Sequence, residues 1–548
     1  MQDKRAVEET PVLIVGGGPI GLALAADLGR RGIAAILIEK NDDRLGSPKM
    51  LEVSIRTMEF CRQLGIADQV RNWGFPLDHP LDSIFVTSLR GREIGRVVTP
   101  SLGEVSGSEY SPERTRPCPQ TWFDPIVQKS ARAWPHISLR YGIELKEFVQ
   151  DSDGVTATAF NRRTGQNEIF RARYLVGCDG FQSTVRDLLG IEVRGDRHID
   201  WSLTIYLRAP DFHARHDKGR AFRYVFVGPE GTWSFLSAIN GQDLWRLQLI
   251  GLDREALQDT DIPAALRRCM GQDFDYTVED KNLWVRKRTV ADRFMDGRVF
   301  IAGDAAHAHP PNGGLGMNTG IQDSFDLGWK IAAVLNGWGG ANLLESYDYE
   351  RRPASARATE VSLKNFKRLT DDSRDAEIDA PGAKGDAIRR RIGRQLVEAN
   401  EKVWHPIGVH LGYIYNPSPI VVPDGSPRPA DDTFSYEPSA FPGARAPHLW
   451  LDAETSILDL FGDGFTLLSF ADAPTEAIEQ AARLRRVPLT RHRIAHRDAA
   501  RLYGKALVLV RPDGHVAWRG DCAPEDPVAM IDRVRGARPT IAARRAED

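Results

Sequence analysis

Short apolar runs alternating with turn residues set the pattern of the first part of the chain. Val12-Leu13-Ile14-Val15 is an unbroken apolar run, as expected of a strand buried on both faces of a parallel sheet. A glycine-rich turn follows, and Leu22, Ala25 and Ala26 then recur at helical spacing, which predicts a helix from about Gly21 to Gly32. Ala35-Ile36-Leu37-Ile38 is a second buried strand, so the opening forty residues read as a βαβ unit. Tyr174-Leu175-Val176-Gly177 and Val299-Phe300-Ile301-Ala302 repeat the strand signature far downstream. Ile321, Phe325, Gly328, Ile331 and Leu335 predict a packed helix from about Thr319 to Leu335.

From about residue 195 to 290 the period changes. Trp201–Leu207, Arg223–Val227 and Trp245–Ile250 alternate with aromatics, which predicts an antiparallel sheet with one covered face, read as the floor of a substrate cavity. The proline-rich stretch 417–429 marks a boundary. Beyond it, Phe465–Phe470, a helix near Glu476–Arg485 and Ala506–Val510 form a further α/β unit. The expected organisation is a nucleotide-binding α/β domain in two parts, 1–190 and 291–415 (the second with a helical segment). A sheet domain at 191–290 is inserted between them, and a linker at 416–435 leads to a C-terminal α/β domain at 436–548. Residues 1–10 read as a polar tail, Lys367–Arg391 as a charge-rich loop or solvated helix, and Arg483–Arg501 as solvated surface.

The turn after the first strand carries the first chemistry. Gly16, Gly18 and Gly21 fall in the G-x-G-x-x-G pattern, with Pro19 and Ile20 between them. The first glycine permits the tight turn, the second lets backbone approach a phosphate, and the third lets helix pack on strand. The helix start favours an anion. Glu39, followed by Lys40, ends the second strand about 20 residues on, where a carboxylate accepts from a ribose 2′-hydroxyl and repels a 2′-phosphate. This motif points to FAD or NAD without separating them. The strand ending in Gly303-Asp304 adds a carboxylate at the carboxyl end of a sheet, placed to accept from a polyol such as the ribityl chain of a flavin. After it, His309-Pro310-Pro311-Asn312-Gly313-Gly314-Leu315-Gly316-Met317-Asn318 reads as a loop opening a helix, whose amides suit the negative charge of a reduced flavin.

Composition narrows the classes. The chain has 72 basic and 75 acidic residues among 548, a net charge of −3, which argues against nucleic acid as a main partner. Five scattered cysteines without a C-x-x-C pair read as a reduced, cytoplasmic protein without structural zinc. His307 and His309 have no further ligand cluster, so no metal is expected. The apolar run Pro11–Leu28 is broken by three glycines, Pro19 and Asp27, so neither a membrane span nor a signal peptide is expected.

Gly16/Gly18/Gly21 with Glu39, Arg56-Thr57-Met58-Glu59, Gln120, Cys178-Asp179-Gly180-x-x-Ser183-x-x-Arg186 and the run from Gly297 to Lys330 together resemble a known family. So do Glu345-Ser346-Tyr347 through Pro353, Pro442-Gly443-x-Arg445-x-Pro447-His448 and Arg511–Arg519. The family is the single-component FAD-dependent aromatic hydroxylases of the para-hydroxybenzoate hydroxylase fold, in the branch of phenol, hydroxyphenylpropionate and polyketide hydroxylases. The resemblance covers essentially the whole chain. It implies a Rossmann-type FAD domain, an inserted mixed or antiparallel substrate sheet, and a thioredoxin-like C-terminal domain. It also implies FAD, NADPH or NADH as a transient electron donor, O2, a small aromatic substrate and a homodimer. The implied reaction is hydroxylation through a flavin hydroperoxide. In the family Asp179-Gly180 is associated with FAD and NAD(P)H binding, Asp304 with the ribityl chain, Gly314–Asn318 with the isoalloxazine ring, and Gln120 with a helix facing the cofactor. Pro311 is expected to line the site. Tyr206, Tyr224 and His309 are the candidates for a base that deprotonates a phenol, and Phe226, Trp233 and Phe235 for an aromatic pocket lining. Two departures stand out. Many relatives have Pro-Arg-Ala where this chain has Pro48-Lys49-Met50, and Asn where it has Asp326, a change expected to alter packing only. Two other activities fit the same sequence: a Baeyer–Villiger or epoxidising monooxygenase acting on a polyketide, and an inactive flavin-binding scaffold. A flavin halogenase is disfavoured by the absence of Trp-x-Trp-x-Ile-Pro.

Overall fold

The computed structural model describes residues 7–42, 46–105, 107–370, 373–404 and 406–537. Of the expected polar tail, residues 1–6 lie outside the described residues. Val7–Thr10 are no tail: the first strand runs Val7–Val15, because Val7–Thr10 pair in parallel with Ile169–Ala172.

The main sheet has the order Met295–Asp296, Val299–Ile301, Gln166–Gly177, Val7–Val15, Ala35–Glu39, Ile137–Tyr141. All neighbours are parallel except the first pair, and two strands extend it antiparallel beyond Gln166–Gly177. The register pairs Val15 with Gly177 and Gly177 with Ile301. That register brings the ends of three strands, and with them Gly16, Cys178-Asp179 and Gly303-Asp304, to one edge. Helix Pro19–Arg30 packs between this sheet and helix Leu315–Leu335. Ile20 is the contact point. A Cβ on Gly303 (φ +61°) would lie 2.9 Å from Ile20 Cγ1, and one on Gly320 would lie 2.7 Å from it, so neither position accepts a side chain.

The second sheet has the order Thr277–Val285, Trp201–Arg208, Leu244–Leu252, Gly231–Ala238, Arg223–Gly228, Ser83–Val86, Glu93–Val97. Its last two strands come from the segment that sequence patterning placed in the first cofactor part, so the inserted sheet recruits residues from outside 191–290. Its two faces differ. Leu203, Ile205, Leu207, Tyr224, Phe226, Leu236, Trp245 and Leu247 form one apolar core with Leu266 and Met270. The opposite face carries Phe85, Val225, Phe235 and Ile250, covered by Phe366, Ile392 and Leu396 of helices Ser346–Thr370 and Gly382–Trp404. The charge-rich segment 367–391 therefore joins and contributes to these two helices; its residues 371 and 372 lie outside the described ones.

The C-terminal domain is the expected thioredoxin-like α/β unit: a four-stranded sheet in the order Leu489–Arg493, Phe465–Ser469, Leu507–Val510, Val516–Gly520, with helices Glu476–Leu484, Arg497–Tyr503 and Pro527–Val534. Phe465 packs edge-on against Trp329 of helix Leu315–Leu335, which joins this domain to the cofactor domain. No helix among the described residues is long and apolar enough to cross a membrane.

Candidate active site

The strand ends open onto a cleft of about 620 Å³. Gly16–Gly18, Glu39–Asp42, Lys49, Gln120, Asp124, Asp179, Gly180 and Asp304 are among its walls. Four observations fit a dinucleotide there. A Cβ on Gly18 would meet no atom within 4 Å, so the backbone faces open space where the motif needs a phosphate. Helix Pro19–Arg30 starts at Gly18 with no side-chain cap, leaving its first amides for an anion. Glu39 holds the turn from the other side: its Oε2 accepts from Gly17 N at 2.7 Å, and Oε1 from Asn41 N at 2.9 Å. Asp304 is exposed to the cleft while the surrounding protein raises its pKa by desolvation.

The flavin loop departs from the sequence expectation. The helix begins at Leu315, four residues earlier than Thr319, so Leu315, Gly316, Met317 and Asn318 form its first turn. Gly314 at φ +64° is the cap position, and no side chain caps the turn. Its uncapped amides suit negative charge, as expected of a turn facing a reduced flavin. Asn318 fixes this turn. Its Oδ1 accepts from Ser54 N and from Thr57 Oγ1, both at 2.8 Å, and its Nδ2 donates to Gly314 O at 2.7 Å.

A model of the FAD binding domain matches residues 9–362, and one of the aromatic-ring hydroxylase C-terminal domain matches residues 439–537. The chain belongs to the FAD-dependent aromatic-ring hydroxylases. Among its relatives, tetracenomycin B2 monooxygenase-dioxygenase of Streptomyces olivaceus is 32% identical, with 96% of this chain and 97% of that protein covered. Phenol 2-monooxygenase of Pseudomonas sp. (strain EST1001) is 32% identical, with 97% and 93% covered. A solved structure of RebC soaked with chromopyrrolic acid and holding 7-carboxy-K252c superimposes with a TM-score of 0.91 at 39% identity, covering 97% of this chain and all of that one. This hydroxylase is thus an FAD-dependent monooxygenase.

The residues expected to hold the cofactor cluster, with qualifications. Lys40 and Gln120 line the cleft, and Gln120 Nε2 donates to Asp124 Oδ2 at 3.0 Å. Asp179 borders the cleft, but its carboxylate is engaged: Ser183 Oγ donates to it at 2.6 Å and Val185 N at 3.1 Å, at the start of helix Thr184–Leu188. Ile20 and Gly21 serve packing: Ser324 Oγ donates to Ile20 O at 2.9 Å, and a Cβ on Gly21 would lie 2.0 Å from Gly16 O.

The base candidates need correction. Tyr224 lies on the sheet face turned away from the flavin loop, is fully buried beside Phe212 and Trp245, and donates its hydroxyl to Gly219 O. Phe226 and Trp233 share that far core, so of the three proposed pocket aromatics Phe235 alone is on the near face. Tyr206 is on the near side, but its hydroxyl donates to Pro48 O at 2.7 Å and burial raises its pKa. His309 packs beside Gly316, with its ring nitrogens unpartnered, and burial holds its pKa well below the usual value. Pro311 is exposed in the loop, and its neighbour Asn312 is held by Arg286 Nη1 at 3.4 Å.

Sequence reasoning missed two arginines on the near face. Register places Tyr206 opposite Arg246, Arg246 opposite Ser237, and Ser237 opposite Arg223. Arg223 pairs with Glu52 at 3.2 Å, and Arg246 Nη1 reaches Lys49 O at 3.4 Å, next to the cofactor cleft. Desolvation lowers the pKa of both, that of Arg223 to about 10. A charged residue interrupting an apolar strand was the available signal.

Proposed function

We propose that the enzyme hydroxylates an electron-rich aromatic ring bearing an ionisable hydroxyl, with NAD(P)H as electron donor and O2 as oxidant. The observation that carries this reading is the pair Arg223 and Arg246 on the sheet face beside the cofactor cleft. Guanidinium groups on this face, with Glu52 beside them, favour an anion, and a phenolate is more readily attacked by electrophilic oxygen than a phenol. The arginines thus take over the task for which neither Tyr206, Tyr224 nor His309 is arranged as a base. Bound FAD supplies the reduction of O2 by NAD(P)H and the transfer of one oxygen atom. The protein's own part is to hold the cofactor along Gly16–Gly18, Glu39 and Asp304, to offer the uncapped amides of the Leu315 turn to negative charge, and to keep water out with Phe235, Val225 and the helices above them. The names of the relatives, which include a phenol 2-monooxygenase and a putative polyketide hydroxylase, support substrates from phenols to polyketides.

We place this hydroxylase in the cytoplasm as a homodimer. Free Cys61, Cys118, Cys178, Cys269 and Cys522 support a reducing compartment; a sedimentation mass decides the dimer. NAD(P)H consumption by the FAD-loaded enzyme, measured with and without a panel of phenols and polycyclic aromatics while peroxide is tracked, tests the reaction. Stimulated consumption with little peroxide and a product heavier by one oxygen on a ring carbon is expected. An inserted ring oxygen would make it a Baeyer–Villiger enzyme instead, and no stimulation by any compound would overturn the hydroxylase reading.

A further inference from the structure

The cofactor cleft contains one buried carboxyl group that the family motifs do not account for. Asp124 lies one helical turn after Gln120 on helix Gln120–Arg132, is 2% exposed, and is part of the cleft wall. Its Oδ2 accepts from Gln120 Nε2, while its Oδ1 has no hydrogen-bond partner among the described residues. A buried carboxylate with one oxygen unpaired is costly, and a diphosphate brought to the same cleft would raise that cost. A carboxylic acid in the same place has a proton to donate, and a dinucleotide offers phosphate and hydroxyl oxygens to receive it.

We propose that Asp124 binds FAD as a neutral carboxylic acid, donating to an oxygen of the dinucleotide, so that cofactor binding takes up a proton.

Burial pushes the Asp124 carboxyl up to about 7, against the opposing pull of the Gln120 amide and the Lys49 ammonium. The other titratable groups lining the cleft are Glu39, Lys40, Asp42, Tyr141, Glu144, Asp179, Asp304 and Cys178, whose thiol burial pushes far above neutrality, and among the described residues no histidine lines it. Cys118, beside Asp124, is pushed far above neutrality by burial and stays a thiol. Helix Pro19–Arg30, packed against the Asp124 helix, has its Asp27 paired with Arg30 and Arg31. The groups able to compete are Asp179 and Asp304, which burial also shifts upward.

This inference rests on FAD being the cofactor. The test is titration of the full-length chain, stripped of its cofactor, with FAD by fluorescence quenching from pH 6 to pH 9, alongside Asp124→Asn and Asp304→Asn. Asparagine keeps the shape and the neutral charge of the acid. Wild-type Kd should weaken by up to about tenfold per pH unit above neutrality, with proton uptake seen calorimetrically in buffers of different ionisation enthalpy. Asp124→Asn should bind with a flat profile and hold FAD more tightly than wild type at pH 9, while Asp304→Asn keeps the slope. A flat wild-type profile, or an unchanged slope in Asp124→Asn, overturns the proposal. Failure of FAD to bind at any pH overturns the cofactor assignment instead.

Discussion

Gly18 and Gly303 belong to the two cofactor motifs for different physical reasons, and alanine separates them. At Gly303 the backbone is left-handed and the new Cβ would meet Ile20 at 2.9 Å, so the Gly303→Ala chain should lose about 2 kcal/mol or more, visible as a lower melting temperature even without FAD. At Gly18 the Cβ meets nothing in the protein, so the cofactor-free Gly18→Ala chain should melt like wild type while its Kd for FAD rises at least tenfold. Both glycines were legible in the sequence because a glycine pattern states a backbone requirement directly. The side of a strand is less legible. Tyr224 and Arg223 are neighbours, and alternation says they face opposite ways, but not which of them faces the flavin loop; a bulge between Phe226 and Val227 then breaks the count along the same hairpin. Since Tyr224 points into the far core, Tyr224→Phe should leave turnover and its pH profile unchanged and cost about 1 kcal/mol of stability through the lost bond to Gly219. A changed pH profile would return the residue to the active site.

At the scale of elements, apolar periodicity located the parallel strands and the long helix, because buried segments carry their environment in their composition. It misplaced the start of the Leu315–Leu335 helix by one turn. Gly314, Gly316 and Asn318 look like a loop, and the helix begins there because Gly314 adopts a left-handed cap and Asn318 is tied outward to Ser54 and Thr57. That support comes from residues more than 250 positions away, and no local pattern announces it. The sheet of the inserted domain shows the same limit: Ser83–Val86 joins it in parallel with Arg223–Gly228, a pairing set by tertiary packing. Asn318→Ala would leave the Ser54 amide buried and unpaired, and should cost about 1–3 kcal/mol. It should also weaken FAD binding, since the uncapped turn would no longer be held in place; an unchanged Kd in a folded variant would separate the tie from the cofactor.

Across the whole molecule, charge buried between domains couples them. Lys330 lies 2.7 Å from Asp326 and 2.6 Å from Glu350, while Arg511 of the C-terminal domain lies 2.6 Å from Glu350 and 3.1 Å from Asp326, with Asp513 alongside. Asp326 therefore does more than alter packing: burial and the Glu350 charge hold its pKa up, while Glu350 is held low as the ionised partner of both cations. Glu350→Gln would leave Lys330 and Arg511 undercompensated and should cost about 3–5 kcal/mol, lowering one shared unfolding transition instead of releasing the C-terminal domain alone. Buried histidines add a pH dependence to the stability of the whole chain. Burial holds His410, against the cofactor domain, and His515, in the C-terminal domain, down to about 4, whereas an unfolded histidine titrates near 6.5. Between those values the unfolded chain binds more protons than the folded one, so stability is complete above pH 6.5 and falls as pH drops toward 4. The full effect is on the order of 3 kcal/mol for each group. Urea unfolding at pH 7 and pH 5 should show about 2 kcal/mol of that loss for each group, and His410→Gln, neutral at both values, should reduce the difference. An equal difference in the variant would mean that His410 does not contribute, and that the acid sensitivity lies elsewhere in the chain.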